Sequence, residues 1–266
     1  MVTTVLELAP ELRGVTGAPW PGVRYFSTWR TGGISRAPRD SLNLGAHVGD
    51  DPEAVRENRR RVQRALPGEP LWLDQVHGTA VFDGDVDTLS APCADAAVTT
   101  LPDRPLAILT ADCLPVVLAD GAGTVLGVAH AGWRGLAAGV LENTLDLMRR
   151  RAPAANGWRA WIGPGIGSGA FQVGPDVRMA FLDRDPELAE CFVLERQGGD
   201  RWLADLAGLA RARLSRAGVK QVESSGECTW TRADRYFSHR RDPGSGRQAT
   251  LAYLTSSDVS QGAGGA

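Results

Sequence analysis

The chain is poor in the residues that mark secreted and membrane-spanning proteins. It has four cysteines in 266 residues, and they are widely separated: Cys93, Cys113, Cys191 and Cys228. Because no recognisable secretory leader precedes them, we expect reduced thiols rather than a disulfide framework. No apolar run approaches the roughly 18 residues of a membrane span. These absences predict a cytoplasmic protein that has no membrane partner.

An excess of either charge is also lacking. The 29 Lys and Arg residues nearly balance the 31 Asp and Glu residues, which gives a formal net charge of −2. This balance provides no basic footprint for a nucleic acid, so we expect no nucleic-acid partner. With 43% apolar residues, the chain can bury the core of one large domain. The oligomeric state is left open by the sequence.

The chain divides into three segments. Residues 1–22 are predicted to be irregular, because Gly14, Gly17, Pro19 and Pro21 interrupt any pattern. Residues 23–254 are predicted to form a single domain that carries the chemistry. Residues 255–266 are mostly small or polar and predict a flexible tail.

Strand-like and helix-like segments alternate through the central domain. Strands are predicted at Val23–Trp29, Leu71–Val76, Leu106–Thr110, Pro115–Leu118, Thr124–Ala129, Trp158–Ile162 and Gln248–Leu254. Helices are predicted from Asp51 to about Ala65, over Val140–Met148 and over Ala204–Ala217. Hairpins mixed with helices favour an α+β fold over a regular βαβ alternation.

Three side chains with metal-binding chemistry stand at predicted strand ends. His77 follows a strand, Cys113 lies at a tight corner between two strands, and His130 ends a strand before a helix. Strand ends hold side chains rigidly. Imidazole and thiolate are good ligands for zinc, and three protein ligands leave one tetrahedral position open for chemistry. One interpretation is therefore a shared catalytic metal site.

The same residues fit a second interpretation. Cys113 with His130 or His77 has the makings of a nucleophile and its base, as in cysteine hydrolases. Both interpretations need a deprotonated sulfur beside an imidazole, and residue spacing does not separate them. A third is structural: isolated buried His and Cys residues are commonly part of a core.

Other polar segments are candidates for substrate binding. The loop over residues 41–50 carries Asn43 and His47; Asn43 suits either a nucleobase edge or the stabilisation of a turn. In residues 235–241, Arg240 suits bidentate contact with phosphate or the solvated face of an edge strand. A glycine-rich run at 163–167 matches neither a P-loop nor a dinucleotide fingerprint, but it could hold an anion through backbone N–H groups.

Taken in order, these segments resemble one family. The resemblance rests on eight blocks: Phe26–Ser35, Ser41–Gly45, Asp74–Gly78, Thr110–Val116, Ala129–Gly135, Ile162–Pro164, Cys228–Thr229 and Phe237–Arg241. Together they resemble the YfiH-type laccase-domain family, also called polyphenol oxidases and described as purine nucleoside phosphorylases. The resemblance extends from about Val23 to Leu254.

The resemblance implies a fold and an activity. The expected fold is one α+β domain of packed mixed or antiparallel sheets flanked by helices, similar to a cysteine-dependent toxin deamidase. The implied activity is phosphorolysis of adenosine, inosine and S-methyl-5′-thioadenosine with phosphate, and deamination of adenosine. The implied cofactor is zinc on His77, Cys113 and His130. The older family name implies copper and phenol oxidation instead, although four histidines are too few for a multicopper site.

Roles for individual residues follow as hypotheses from these motifs. Asp112, beside Cys113, is the nearest carboxylate for proton transfer in deamination. Arg134 and Arg240 are candidates for holding phosphate, and Asn43 and His47 for binding the nucleoside. Gln172 stands where the family usually carries a carboxylate, and Gln cannot act as a general base at neutral pH. A metal-free hydrolase using Cys113 and a non-enzymatic binding protein remain as alternatives.

Overall fold

The computed structural model describes residues 3–195 and 199–256. Its strands are β1 (Thr4–Ala9), β2 (Leu12–Thr16), β3 (Val23–Thr28), β4 (Val81–Asp83), β5 (Ala96–Thr99), β6 (Leu106–Thr110), β7 (Leu114–Ala119), β8 (Leu126–Ala131), β9 (Arg159–Ile162), β10 (Gln172–Val173), β11 (Phe192–Leu194), β12 (Trp202–Ala204), β13 (Gln221–Ser224) and β14 (Gln248–Leu254). Its α-helices are α1 (Pro52–Gln63), α2 (Trp133–Ala138), α3 (Val140–Arg151), α4 (Pro175–Leu182) and α5 (Leu206–Arg216), and a 3₁₀-helix covers Pro186–Cys191.

Two large sheets form the centre of the molecule. The five-stranded sheet has the order β1-β2-β3-β14-β6, and its neighbouring strands are antiparallel. The six-stranded sheet has the order β13-β9-β7-β8-β5-β4 and is mixed, because β13 runs parallel to β9 and β4 runs parallel to β5. A small antiparallel sheet, β10-β12-β11, completes the strands.

The alternation of side chains along β7 explains how the layers are arranged. Val116 and Leu118 belong to the core between the six-stranded sheet and helices α2 to α5. Val117 and Ala119 point the other way, into the core between the two sheets. Since both faces of this strand are buried, an uninterrupted apolar run is required there. The resulting order is helices, six-stranded sheet, five-stranded sheet and α1.

The helices bury one face each. In α3 the buried residues are those that helical spacing predicts: Val140, Leu141, Thr144, Leu145 and Met148. Helix α1 is capped at its N-terminus by Asp51, whose side chain accepts a hydrogen bond from the N–H of Glu53, and the helix packs through Val62 on the outer face of the five-stranded sheet. The prediction of an α+β domain with packed sheets and outer helices is confirmed.

Two sequence-based predictions about local structure are wrong. The segment predicted to be irregular, residues 1–22, contains β1 and β2 within its described part, 3–22, and these strands form a hairpin that extends the five-stranded sheet. The glycine at 14 is needed for close packing, because a Cβ there would lie 2.5 Å from the carbonyl oxygen of Ser27. Leu71–Val76 is not a strand; it makes only isolated bridges, at Leu71 and Asp74.

The predicted tail begins as an ordered continuation of β14. The N–H of Thr255 donates to the carbonyl oxygen of Gly22 at 2.9 Å. Residues 257–266, which carry the remainder of that prediction, lie outside the described residues. Among the described residues, no helix has the length and apolar character needed to cross a membrane.

Candidate metal centre

His77, Cys113 and His130 converge at one end of β7 and β8, the two central strands of the six-stranded sheet. One ligand atom from each residue lies within 4.8 Å of the others. His130 is in β8, and Cys113 immediately precedes β7, the strand paired with β8. His77 comes from the loop after the Asp74 bridge, with a positive φ of 61°. The cluster therefore depends on strand pairing for two residues and on a turned loop for the third.

A buried carboxylate, Asp95, positions both histidines. Its Oδ1 accepts the ring Nδ1 of His130 at 2.8 Å and the backbone N–H of His77 at 2.9 Å. Its Oδ2 accepts the N–H groups of Val76 and Gly78. Because Nδ1 of His130 is hydrogen-bonded to Asp95, Nε2 is the ring nitrogen that remains for a metal ion. A carboxylate that orients a ligating histidine in this way is a common companion of metal sites.

Electrostatics favour the thiolate form of Cys113. Burial alone would raise the pKa of this thiol, but the charge of His130 and hydrogen bonds from His130 and His77 outweigh it, so the pKa is lowered. Burial alone would lower the pKa of His130, but Cys113 and Asp95 raise it. The opposite directions of the two pKa shifts favour a thiolate beside an imidazolium. A thiolate is the form of cysteine that ligates metals.

The absence of a side chain at Gly132 leaves room for the cluster. A Cβ at this position would lie 2.9 Å from Sγ of Cys113 and 3.1 Å from Cδ2 of His77. The backbone of Gly132 has φ −65° and ψ 157°, a conformation open to any residue. Glycine is therefore required here by space rather than by backbone conformation.

The donor set fits a metal ion. Two imidazole nitrogens and one thiolate sulfur suit zinc and copper, and three protein ligands leave a coordination position open. The oriented His130, the lowered pKa of Cys113 and the space at Gly132 all favour such an ion. The donor atoms alone do not distinguish the two metals.

A cleft of about 440 Å³ opens over the cluster. One part of its wall is apolar and includes Leu109, Ile166 and Phe171, while another is cationic and includes Arg134, Arg240 and Arg247. His47, Gln75, Asp112, Trp133 and His239 complete the polar and aromatic lining. Of these, Gln75 is bound to the backbone of Leu109 through both side-chain atoms.

Most of the residues predicted to bind substrate face this cleft. His47, Arg134 and Arg240 all line it, as does Asp112. Burial and the charge of Arg247 lower the pKa of His47, so its imidazole is neutral at pH 7. A neutral imidazole offers one N–H donor and one bare nitrogen acceptor.

The prediction that Asn43 binds substrate is not supported by its position. Asn43 is fully buried, and it is absent from the lining of the cleft. Its Nδ2 donates to the carbonyl oxygen of Gly45 and to Asp50, and its Oδ1 accepts the N–H groups of Gly45 and Arg247. Because these bonds occupy both amide atoms, Asn43 stabilises the loop. Stabilisation of a turn was the alternative that the sequence offered to nucleobase binding.

Asp112 is likewise held by protein partners. Its Oδ1 accepts the hydroxyl of Thr229 at 2.6 Å, and its Oδ2 accepts the N–H of Arg240 at 2.7 Å. Its backbone is in the left-handed region, with φ 99°. Asp112 therefore ties the corner that carries Cys113 to the segment that carries Arg240. This geometry favours positioning over proton transfer.

Gln172 lies to one side of the metal cleft. It is exposed, and its side-chain amide donates to Glu195, while its carbonyl oxygen accepts Nη1 of Arg240 at 2.9 Å. It lines a smaller neighbouring pocket. The residue at position 172 therefore belongs to the entrance of the cleft and not to the ligand cluster.

Sequence reasoning missed Asp95, Phe171 and Arg247. Asp95 carried a usable signal, because a lone carboxylate between alanines at the start of an apolar strand needs a buried partner. Phe171 and Arg247 carried none, because aromatic and basic residues are common in loops. Their place in the cleft depends on tertiary packing.

The fold and the His–Cys–His cluster define a single-domain α+β protein with a three-ligand candidate metal centre. The family model described as "Multi-copper polyphenol oxidoreductase laccase" matches residues 24–255. The chain belongs to this family.

Known relatives cover nearly the whole chain. It is similar to the purine nucleoside phosphorylase YfiH of Escherichia coli strain K12, with 45% identity over 240 residues, 88% of this chain and 96% of the relative. The purine nucleoside phosphorylase PA4543 of Pseudomonas aeruginosa is 47% identical over 238 residues, 88% of this chain and 96% of the relative. The names of these relatives support an enzyme.

Solved structures share the fold. The crystal structure of Neisseria meningitidis protein NMB0706 matches with a TM-score of 0.84 at 42% identity, covering 96% of this chain and 99% of that one. The crystal structure of the Bacillus licheniformis hypothetical protein YfiH matches with a TM-score of 0.83 at 29% identity, covering 93% and 97%.

Proposed function

We propose that this chain is a zinc-dependent purine nucleoside phosphorylase that acts on adenosine, inosine and S-methyl-5′-thioadenosine and also deaminates adenosine. The observation that carries the proposal is the His77–Cys113–His130 cluster at the base of a cleft with a cationic wall. The names of the Escherichia coli and Pseudomonas aeruginosa relatives support the phosphorylase activity.

The cleft suits a nucleoside in size and chemistry. Its volume of about 440 Å³ lies within the range of small-molecule sites, about 300–1,000 Å³. Phe171, Ile166 and Leu109 offer apolar contacts to a purine ring. The neutral imidazole of His47 can both donate to and accept from the hydrogen-bonding edge of the base.

The cationic wall suits the second substrate. In phosphorolysis a phosphate oxygen forms a bond to C1′ of the ribose, the C1′–N9 bond breaks, and its electron pair remains on the purine. Guanidinium groups bind phosphate oxygens well, and Arg134 and Arg240 line the cleft. Their charge would hold the phosphate and stabilise the negative charge shared between phosphate and departing base.

The metal would be held by His77, Cys113 and His130. Zinc in such a site supplies Lewis-acid chemistry and can activate water for attack on C6 of adenine. The residues of this chain would then orient the purine against that position. Asp112 would keep the Cys113 corner and the Arg240 segment in register through its two hydrogen bonds.

A direct assay tests the proposal. Zinc-loaded protein is incubated with adenosine, with and without phosphate, and adenine and inosine are separated by chromatography. Adenine should form only with phosphate, whereas inosine should form without it. Cys113→Ser should lose both products together with the zinc, and Cys191→Ser is the matched control because Cys191 lies outside the cleft lining. Absence of both products from folded, zinc-loaded protein would reject the function.

A copper-dependent polyphenol oxidase is a second candidate, because the family description names copper and the donor set accepts it. Expression with both metals supplied, followed by elemental analysis, separates the two. Copper at one ion per chain together with oxygen consumption on a phenol would favour the oxidase.

The lowered pKa of Cys113 beside two imidazoles favours a third candidate, a metal-free cysteine hydrolase. It predicts rapid alkylation of Cys113 by iodoacetamide in protein as purified, with no bound metal. Protection of Cys113 by stoichiometric zinc would reject this candidate.

A further inference from the structure

A second, smaller pocket adjoins the metal cleft. It has a volume of about 260 Å³ and shares four residues with the cleft: Trp133, Arg134, Phe171 and Arg240. The metal ligands line only the cleft, and Arg201 lines only the smaller pocket. A group bound at Arg201 would therefore lie at the entrance of the cleft while remaining in contact with its cationic wall.

Three guanidinium groups face this entrance pocket. Arg134, Arg201 and Arg240 all line it, and each is exposed. Within residues 3–195 and 199–256, none of the three forms an ion pair within 4.0 Å, whereas Arg104, Arg213 and Arg216, which line other pockets, do. The planes of two of them are supported by aromatic rings, with Arg134 4.3 Å from the centroid of Trp133 and Arg240 5.4 Å from that of Phe171. Arg134 and Arg240 are thus held beside aromatic rings, and none of the three arginines is neutralised by an ion pair among the described residues.

The remaining lining adds one carboxylate and an open backbone. Asp176 is the only acidic residue among those that line the pocket, so the described lining carries a net charge of +2 from three arginines and one aspartate. Gly174 precedes α4 without a side-chain cap, and a Cβ there would lie 2.6 Å from Oδ1 of Asp176 and 3.8 Å from Nη1 of Arg201. The missing side chain makes room for the Asp176 carboxylate at the start of the helix and adds no bulk beside Arg201.

We propose that the entrance pocket binds a phosphate group, and that Arg201 is a specificity-determining residue for it. A phosphate monoester carries a charge of about −1.5 to −2 at pH 7, which matches the net charge of the lining. Its oxygens accept the paired N–H groups of guanidinium in bidentate hydrogen bonds. The inference deepens the proposed function: the phosphate is either the free co-substrate or one esterified to the nucleoside.

Binding measurements test the site without relying on turnover. Zinc-loaded wild-type protein, Arg201→Gln and Arg150→Gln are titrated by calorimetry with inorganic phosphate, adenosine 5′-monophosphate and adenosine. Arg150→Gln makes the same change in charge at an exposed residue of α3 that lines neither pocket. Arg201 is exposed, so its replacement should leave the thermal unfolding midpoint unchanged, and this is checked first.

The expected result is a loss of about tenfold or more in affinity for a phosphate-bearing ligand in Arg201→Gln, with adenosine unaffected and Arg150→Gln like wild type. A preference of wild type for the monophosphate over adenosine that disappears in Arg201→Gln identifies an esterified phosphate. Equal affinities for these two, with phosphate binding that depends on Arg201, identify the co-substrate.

The proposal is overturned when Arg201→Gln binds phosphate and the monophosphate as wild type does, or when wild type binds neither. Its failure is distinguishable from failure of the proposed function. Phosphate binding that depends on Arg201, in zinc-loaded protein that forms no adenine, would reject the phosphorylase and retain the site.

Discussion

Asp95 accepts a hydrogen bond from Nδ1 of His130 at 2.8 Å while the same oxygen accepts the backbone N–H of His77 at 2.9 Å. One fully buried carboxylate thus positions two of the three candidate metal ligands. Asp95 contacts His130 through the imidazole ring and His77 through the main chain. Metal affinity should therefore be sensitive to a residue that does not touch the metal.

Replacing Asp95 with Asn should weaken zinc binding by about 10- to 100-fold, the usual effect of removing a partner that orients a ligand. The amide nitrogen of Asn cannot accept the N–H groups that the carboxylate accepts from residues 76–78. The dissociation constant is measured by competition with a chromophoric chelator. Asp87→Asn is the control, because its side chain is 96% exposed; equal zinc affinity of Asp95→Asn and wild type, with both folded, would contradict the prediction.

Replacing Gly132 with Ala should disturb the metal centre through space alone. The new methyl group would meet Sγ of Cys113 at 2.9 Å, and overpacking of this kind costs about 1–3 kcal/mol. We expect zinc affinity to fall by about tenfold or more. Gly169→Ala provides the comparison, since nothing lies within 4 Å of its would-be Cβ; a Gly132→Ala protein with unchanged affinity would mean that the cluster can shift aside.

Replacing Asp112 with Asn distinguishes positioning from proton transfer. A residue that moves a proton in the rate-limiting step contributes about 10²- to 10⁴-fold to turnover. We expect kcat to fall by less than about tenfold, with a raised KM, because the loss is one of alignment. Thr229→Val removes one of the same hydrogen bonds and should reproduce this pattern. A fall in kcat of more than about a hundredfold in Asp112→Asn alone, with zinc still bound, would restore the proton-transfer role.

Asp85 should make stability depend on pH. Burial alone would raise its pKa, but hydrogen bonds from Thr100, Thr99 and Arg151 outweigh it and lower the pKa to about 2. An aspartate in the unfolded chain has a pKa of about 3.9. The stabilisation is therefore complete above about pH 4 and is lost as the pH falls towards 2.

Replacing Asp85 with Asn tests this stabilisation. Urea unfolding at pH 7 should show a loss of about 1–2 kcal/mol, and the difference from wild type should shrink as the pH falls from 4 to 2. Asp87→Asn should change little, because Asp87 and Arg104 form an exposed pair. A difference that persists unchanged at pH 2 would show that the carboxylate charge is not the cause.

The sequence predicted the three ligands of the cluster, but it did not predict Asp95, the residue that positions two of them. His77, Cys113 and His130 stand out because imidazole and thiolate are good metal ligands and because all three lie in the blocks that resemble one family. Asp95 is 35 residues from His130 and 18 from His77, and it reaches them only because β5 pairs with β8 in one register, with Ala96 opposite Ala129. No local pattern encodes that register.

The predictions that the structure does not support came from relying on the usual behaviour of a residue type. Gly14 and Gly17 look like breakers in the sequence, although Gly14 lies within β2 and Gly17 allows close packing, since a Cβ there would lie 2.6 Å from the ring of Trp161. Asn43 looks available for a ligand, but four hydrogen bonds to neighbouring groups occupy it. Propensity describes what a residue tolerates, and only packing decides which use is made of it.

The position of β14 between β3 and β6 has a consequence for how the chain is made. Leu251 pairs with Phe26 of β3 on one side and with Ala107 of β6 on the other. Both of these strands are synthesised before β14, so each lacks this neighbour until β14 has left the ribosome. Arg240 and Arg247, which line the cleft, emerge just before it. The three ligands and Arg134 are therefore synthesised well before Arg240 and Arg247, so the five-stranded sheet and the cationic wall of the cleft are both completed by the same late segment of the chain.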